Sequence, residues 1–280
     1  MIDNQVWFVT GASRGSGYEL VSLLLKEGKS VVATSRNKNT LVEIFGSENE
    51  KFLPVELTLT DENDIKEVLH KTLQKFDRID VLVNNAGFMR AGAIEDTPDA
   101  EVRECFDVNV FGTLNMCRQV VPIMRNQRSG YIINTSSIAG IYSGAFEGIY
   151  SGTKFAINGI SRALSDELKP FGIHVTSIMP GFIRTEFLTP NSLKINYDRT
   201  KNSPYEDIYT ERVKIISQMD GKQPGDPKKL AKTLVELSEM KNPPKELMLG
   251  SDAIEIAKQV YSEKIKEYEQ NESLSVSIDF

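Results

Sequence analysis

Short apolar runs alternate with longer amphipathic stretches along this chain, and that alternation limits the folds open to it. Val6-Trp-Phe-Val9, Ser30-Val-Val-Ala-Thr34, Lys51-Phe-Leu-Pro-Val-Glu-Leu57, Asp80-Val-Leu-Val83, Gly130-Tyr-Ile-Ile-Asn-Thr135, His174-Val-Thr-Ser-Ile-Met179 and Glu246-Leu-Met-Leu249 each read as a strand. Unbroken apolar runs of this kind mark strands buried on both faces. Between them the pattern turns helical, over 16–27, 61–76, 99–125, 150–169, 227–240 and 252–269, with Gly28 as a stop and Thr60-Asp61 as a cap. Strands alternating with helices imply βαβ units with right-handed crossovers. The expected fold is α/β, a single doubly wound domain over 1–280 with a mostly parallel sheet of about seven strands and helices on both faces. In such a sheet the ligand crevice lies at the carboxyl ends of the strands, where strand order reverses.

One stretch breaks the rhythm. Residues 182–225 mix Phe182, Ile183, Phe187, Leu188, Tyr197, Tyr205 and Tyr209 with polar residues and show no clean period. A segment this long in a compact domain is expected to serve function, and we read it as a substrate lid. Residues 252–280 read as a helical carboxyl-terminal extension.

Composition removes several classes. Net charge is −6, and the basic residues are scattered rather than gathered on a stripe, which argues against a nucleic-acid partner. No run approaches 18 apolar residues, so no membrane span is expected. The opening Met1-Ile-Asp-Asn-Gln has neither a basic nor an apolar leader, and a cytoplasmic protein is expected. Cys105 and Cys117 lie twelve apart in a helical stretch, about 120° around its axis, so reduced, semi-buried thiols are expected. His70 and His174 are isolated, and no metal site is expected.

Chemistry concentrates just after the strands. Thr10-Gly-Ala-Ser-Arg-Gly-Ser-Gly17 joins the first strand to the first helix. Gly11, Gly15 and Gly17 permit a tight turn whose N–H groups approach a pyrophosphate, backed by the positive end of a helix. After the second strand, where an NAD site usually places a carboxylate, stand Ser35 and Arg36, with Arg14 in the turn itself. Guanidinium groups hold a ribose 2′-phosphate that a carboxylate would repel, so the cofactor expected is NADP(H). Further on, Tyr150 and Lys154 are spaced i, i+4 on one helix face. A nearby ammonium would lower the phenol's pKa from about 10 and fit it for proton transfer. Ser137, at the end of the fifth strand, can donate to a developing oxyanion.

Taken together these motifs resemble the short-chain dehydrogenase/reductase family, in its shorter-chain, hydroxysteroid/retinol-dehydrogenase-like branch, which has a Rossmann-type domain. Thr10–Gly17 resembles its cofactor turn, Asn84-Asn-Ala-Gly87 its N-N-A-G motif, and Pro180-Gly181 with Thr185 its nicotinamide-side segment. Ser137 lies thirteen residues before Tyr150, as in that family, which selects it over Ser136. The resemblance implies an Asn109–Ser137–Tyr150–Lys154 tetrad. Tyr150 would be the general acid/base, Lys154 would hold the nicotinamide ribose and lower the Tyr150 pKa, Ser137 would polarise the substrate, and Asn109 would hold a water on a proton relay. It further implies cofactor contacts from Gly11, Ser13, Arg14, Gly15, Ser16, Gly17, Ser35, Arg36, Asn85, Ala86, Gly87, Pro180, Gly181, Ile183 and Thr185. Thr58 stands where the family usually has an adenine-binding Asp, which implies weaker adenine recognition.

The function so implied is hydride transfer between NADP(H) and a carbonyl or secondary alcohol on an apolar small molecule, with a homodimer or homotetramer as the assembly. Two other readings are weighed beside it. A catalytically silent NADP(H) sensor would be expected to lack Tyr150 or Lys154. A nucleotide-sugar epimerase or dehydratase would be expected to have a longer carboxyl-terminal domain.

Overall fold

The computed structural model describes residues 5–195, 201 and 203–280. Seven strands form one sheet: β1 (Val6–Val9), β2 (Ser30–Ser35), β3 (Phe52–Glu56), β4 (Val81–Asn84), β6 (Gly130–Thr135), β7 (Ile173–Pro180) and β9 (Glu246–Leu249). Their order is β3-β2-β1-β4-β6-β7-β9, and every pairing is parallel. The expected topology is therefore present, with the antiparallel allowance unused. The chain builds outward from β1 to β3, returns to the far side of β1 as β4, and so creates a switch point between β1 and β4.

Successive side chains of each strand point to opposite faces, and the two cores divide accordingly. Trp7, Val9, Val31, Ala33, Val81 and Val83 pack with Leu20 and Leu24 of α1 (Gly15–Lys26) and Leu230 and Leu234 of the helix at Pro227–Glu239. Phe8, Val32, Leu82 and Ile132 face the other way, onto Ile65 and Val68 of α3 (Glu62–Phe76) and Met116 and Val120 of α5 (Gly112–Gln127). Each fully buried Leu, Ile or Phe of this kind contributes about 1.5–3 kcal/mol. This two-sided burial is why the strands are continuous apolar runs.

Four features depart from the sequence reading. A short helix α2 (Lys38–Phe45), capped by Asn37 and burying only Leu41, follows β2; with one buried residue it carries almost no periodic signal. The long helix at 99–125 is three pieces: α4 (Asp99–Phe106), a π-helical turn at Asp107–Phe111, and α5. Cys105 and Cys117 are free, as expected, but fully rather than partly buried. Finally, the segment 182–225 contains regular structure: a 3₁₀ turn at Glu186–Leu188, strand β8 (Leu193–Ile195) paired with β5 (Met89–Ala91), and helix α7 (Glu206–Met219). In α7, Tyr209 is buried while Ile208 and Ile215 are exposed, so apolar residues on both faces blur the helical period. Tyr197 lies outside the described residues.

Among the described residues the remaining helices of eight residues or more are α6 (Gly148–Leu168), α8 (Pro227–Glu239) and α9 (Ser251–Gln270). Among the described residues no helix is long and apolar enough to cross a membrane.

Candidate active site

A cleft of about 520 Å³ runs across the carboxyl ends of the strands. Of the catalytic and cofactor-binding candidates named from sequence, all line it except Gly17 and Asn109, which shape its walls from behind.

At the switch point the turn after β1 is braced by the end of β4. Thr10 Oγ1 accepts from the backbone N–H groups of Asn85 and Ala86 at 3.0 and 3.1 Å, and Asn85 Nδ2 donates to the carbonyls of Thr10 and Gly11 at 3.0 and 3.1 Å. Gly11 has φ +66°, and a Cβ there would sit 2.8 Å from Ala86 Cα. At Gly17 a Cβ would land on the Gly11 carbonyl and lie 2.7 Å from Asn85 Nδ2. Behind the turn, α1 starts at Gly15 with no side-chain cap on its first N–H groups. A glycine cradle that a methyl group would fill, ending on an uncapped helix, fits a dinucleotide's phosphates.

Beside this cradle, Ser35 and the exposed Arg36 end β2, Thr58 follows β3, and Arg14 donates Nη2 to Asn191 O at 2.9 Å. No carboxylate from β2 lines this part of the cleft. The backbone N–H of Thr58 is held by Asp64 Oδ2 at 2.6 Å, which leaves its hydroxyl as the side-chain group offered at this corner.

Toward the middle of the cleft, Tyr150 and Lys154 lie one turn apart on α6, each only 6% exposed. Lys154 Nζ sits 5.5 Å from the Tyr150 ring centroid and donates to Thr135 O at 2.8 Å. Ser137 lines the cleft with Tyr150, where its hydroxyl acts to lower the phenol's pKa, and its Oγ accepts from Ala139 N at 3.1 Å. Ser136 is turned away: its Oγ donates to Lys154 O at 3.1 Å and ties α6 to the end of β6. The thirteen-residue spacing therefore selects the serine that reaches the tyrosine.

Asn109, on the π turn, does not face the cleft. Its Oδ1 accepts from Phe88 N at 3.0 Å, and its Nδ2 donates to Phe88 O at 2.8 Å and Thr153 Oγ1 at 3.2 Å. It fixes the backbone at Gly87, where a Cβ would come within 3.0 Å of Asn109 Oδ1 and 3.8 Å of Lys154 Nζ.

The electrostatics differ from the sequence expectation in one respect. Burial pushes the Tyr150 phenol above its ordinary value, and the neighbouring Ser137 side chain only partly opposes this. The same burial brings the Lys154 ammonium down to about 8. Desolvation thus dominates at both groups.

Beyond Tyr150 the cleft becomes apolar. Met89, Ala91, Ala139, Leu193, Phe187 and Ile216 cluster around the tyrosine, with the Phe187 ring centroid 6.0 Å from its own. α7 covers this end: Phe146, itself at φ +67°, packs edge-on against Tyr205 and Tyr209 at 6.1 and 5.1 Å. Arg212 of α7 pairs with Glu147, just before Tyr150. Pro180, Gly181, Ile183 and Thr185 form the wall between this end and the phosphate turn, and Thr185 abuts Gly15. Phe182 N on that wall is held by Asp252 Oδ2 of α9 at 2.7 Å. Sequence reasoning did not find Glu147, Arg212 or Asp252, because each acts through a partner distant in the chain.

A parallel sheet with a phosphate cradle at its switch point and a Tyr–Lys–Ser cluster beyond defines an oxidoreductase that uses a nicotinamide cofactor on a small-molecule substrate. The short-chain dehydrogenase family model matches residues 5–196, and the chain belongs to that family. Among its relatives are the oxidoreductase BOA17 of Botryotinia fuckeliana, 33% identical over 90% of this chain and 91% of that one, and the 3-ketodihydrosphingosine reductase of Bacteroides thetaiotaomicron, 34% identical over 88% of each. A short-chain dehydrogenase from Streptomyces avermitilis superposes with a TM-score of 0.89 at 33% identity, over 99% of this chain and all of that one. ElxO with NADP bound gives 0.73 at 25% identity, over 90% of this chain and 99% of that one.

Proposed function

We propose that this protein is an NADP(H)-dependent reductase of ketones or aldehydes, or the corresponding alcohol dehydrogenase, acting on an apolar small molecule. The observation that carries the reading is Tyr150 set beside Lys154, with Ser137 lining the same cleft, where its polar and apolar halves meet. The whole chain acts as one domain, with 182–225 as the lid and 252–280 as an extension.

The bound cofactor would supply hydride to the carbonyl carbon. As negative charge grows on the substrate oxygen, Ser137 donates a hydrogen bond to it and Tyr150 hands over its phenolic proton. The raised Tyr150 value keeps that proton in place at neutral pH. The Lys154 ammonium stabilises the phenolate left behind. Gly11, Ser13, Gly15, Ser16 and Gly17 would hold the diphosphate. Arg14, Ser35 and Arg36 would hold the 2′-phosphate, and Thr58 the adenine. Asn85, Ala86, Gly87, Pro180, Gly181, Ile183 and Thr185 would line the ribose and nicotinamide.

The apolar wall of Met89, Phe187 and Ile216, and the ketone in the name of the Bacteroides relative, favour an apolar ketone as substrate. Phe111 and Phe155 are exposed on the long helices, where the homodimer or homotetramer contact is expected.

NADPH oxidation followed at 340 nm against a panel of aliphatic and aromatic ketones tests the reaction. Tyr150→Phe is expected to lower kcat by roughly 10²–10⁴-fold while NADPH binding survives. Undiminished turnover in that variant, or no turnover with any carbonyl by the native chain, overturns the reading.

A further inference from the structure

Several buried polar atoms lack a protein partner among the described residues, and three residues carrying them line the cleft: Thr135, Arg212 and Gln223. Gln223 stands apart. It is only 2% exposed, and neither its Oε1 nor its Nε2 meets a partner. A wholly buried amide with both ends unpaired carries an uncompensated desolvation cost, which a ligand presenting a matching donor and acceptor would remove.

The backbone around Gln223 is fixed. Its carbonyl accepts from Arg184 Nε and Nη2 at 3.1 and 2.9 Å. Two residues on, Gly225 N donates to Phe182 O at 2.9 Å and Arg184 N donates to Gly225 O at 2.8 Å. Residues 223–225 are thereby strapped alongside 182–184. That strap adjoins Thr185, which abuts the phosphate turn at Gly15, and Phe182, Ile183 and Gln223 line the same cleft as Tyr150. A dinucleotide whose phosphates rest on the turn and whose reacting ring reaches Tyr150 must pass this wall.

Another primary carboxamide complements a glutamine amide at both ends, through one N–H···O bond in each direction. The nicotinamide ring carries one. We propose that Gln223 is a cofactor-binding residue that recognises the carboxamide of the nicotinamide. The inference rests on the NADP(H) reading above.

The test is equilibrium binding, by calorimetry or protein fluorescence, of three ligands to the native chain and to Gln223→Met. The ligands are NADPH, its reduced 3-acetylpyridine analogue, which replaces the amide –NH₂ by methyl, and 2′-phospho-ADP-ribose, which lacks the nicotinamide. The native chain is expected to prefer NADPH to the acetyl analogue by about tenfold, equivalent to about 1.4 kcal/mol. In Gln223→Met that preference should fall to within about threefold, with 2′-phospho-ADP-ribose affinity unchanged. An undiminished preference in the variant overturns the proposal, as does a raised KM for the ketone with the preference intact, which would make Gln223 a substrate contact. The native chain supplies an arm that needs no variant: equal affinity for NADPH and the acetyl analogue also overturns it. Failure of the native chain to bind either NADPH or 2′-phospho-ADP-ribose would instead bring down the cofactor reading itself.

Discussion

The two ends of the cleft are built from different materials. At the phosphate end the working parts are backbone: glycines at 11, 15 and 17, the uncapped start of α1, and the Asn85–Thr10 brace. At the end under α7 they are side chains meeting across long sequence separations: Phe146 on Tyr205 and Tyr209, and Arg212 on Glu147. A backbone cradle tolerates no added atom but is indifferent to most surface chemistry. A side-chain wall can be re-lined one residue at a time. On the proposed reading, cofactor binding is thus rigidly specified, while the substrate end is held by replaceable parts.

The sharpest way to break this contrast is at Gly17. Gly17→Ala places a methyl on the Gly11 carbonyl, and NADPH affinity is expected to fall on the order of 100-fold, from an overpacking strain of about 1–3 kcal/mol. Near-native affinity by calorimetry would mean that the cradle is not rigid. Next comes Arg36, the exposed side chain proposed to hold the 2′-phosphate at that end. Arg36→Leu should weaken NADPH by about 10–100-fold, the value of a charge-assisted bond, and leave NADH alone. Equal losses for the two cofactors would remove the 2′-phosphate assignment.

Lys154 lies between the two ends. Its ammonium, ordinarily near 10.5, is brought down to about 8 by burial. The unfolded chain therefore holds this proton through a window in which the folded chain has released it. The cost of burying the charge is full below pH 8 and is relieved as pH rises toward 10.5. Denaturant titrations of the native chain and Lys154→Met should therefore diverge in the native chain's favour across that window, by up to about 1.4 kcal/mol per pH unit. Parallel curves would show that the lysine is not desolvated. The smallest effect is expected at the lid. Arg212→Met removes a partly buried ion pair worth about 1 kcal/mol, so ketone KM should rise about fivefold with NADPH affinity unchanged, and amide exchange in α7 should quicken. A loss of NADPH affinity in that variant would show the two ends to be coupled.

The same division governs what could be read from the sequence. Strands buried on both faces announce themselves as Val6–Val9 or Val81–Asn84 do, because both faces demand apolar residues. The glycine turn and the Tyr150–Lys154 pair are legible because backbone geometry and helix period fix their spacing. Lys38–Phe45 was missed because a helix resting on a single leucine has almost no pattern. Helix α7 was missed because Ile208 and Ile215 put apolar residues on its exposed side. Glu147 and Arg212 are 65 residues apart, and nothing in the local sequence of either foretells the other. Asn109 was legible as a position, yet its observed bonds are to the Phe88 backbone and Thr153.

The π turn at Asp107–Phe111 has a mechanical meaning of its own. An α-helix advances about 100° per residue, and a π turn slips that phase. The long helix therefore acts as two rods with independently set angles. α5 can keep Met116, Val120 and Met124 against the sheet, while α4 can turn Arg90's partners, Glu101 and Glu104, toward the cleft wall. Asn109 sits at the coupling between the rods. Removing one residue there would leave both helices intact and rotate one against the other, so this short slip is what keeps the wall of the cleft in step with the core beneath it.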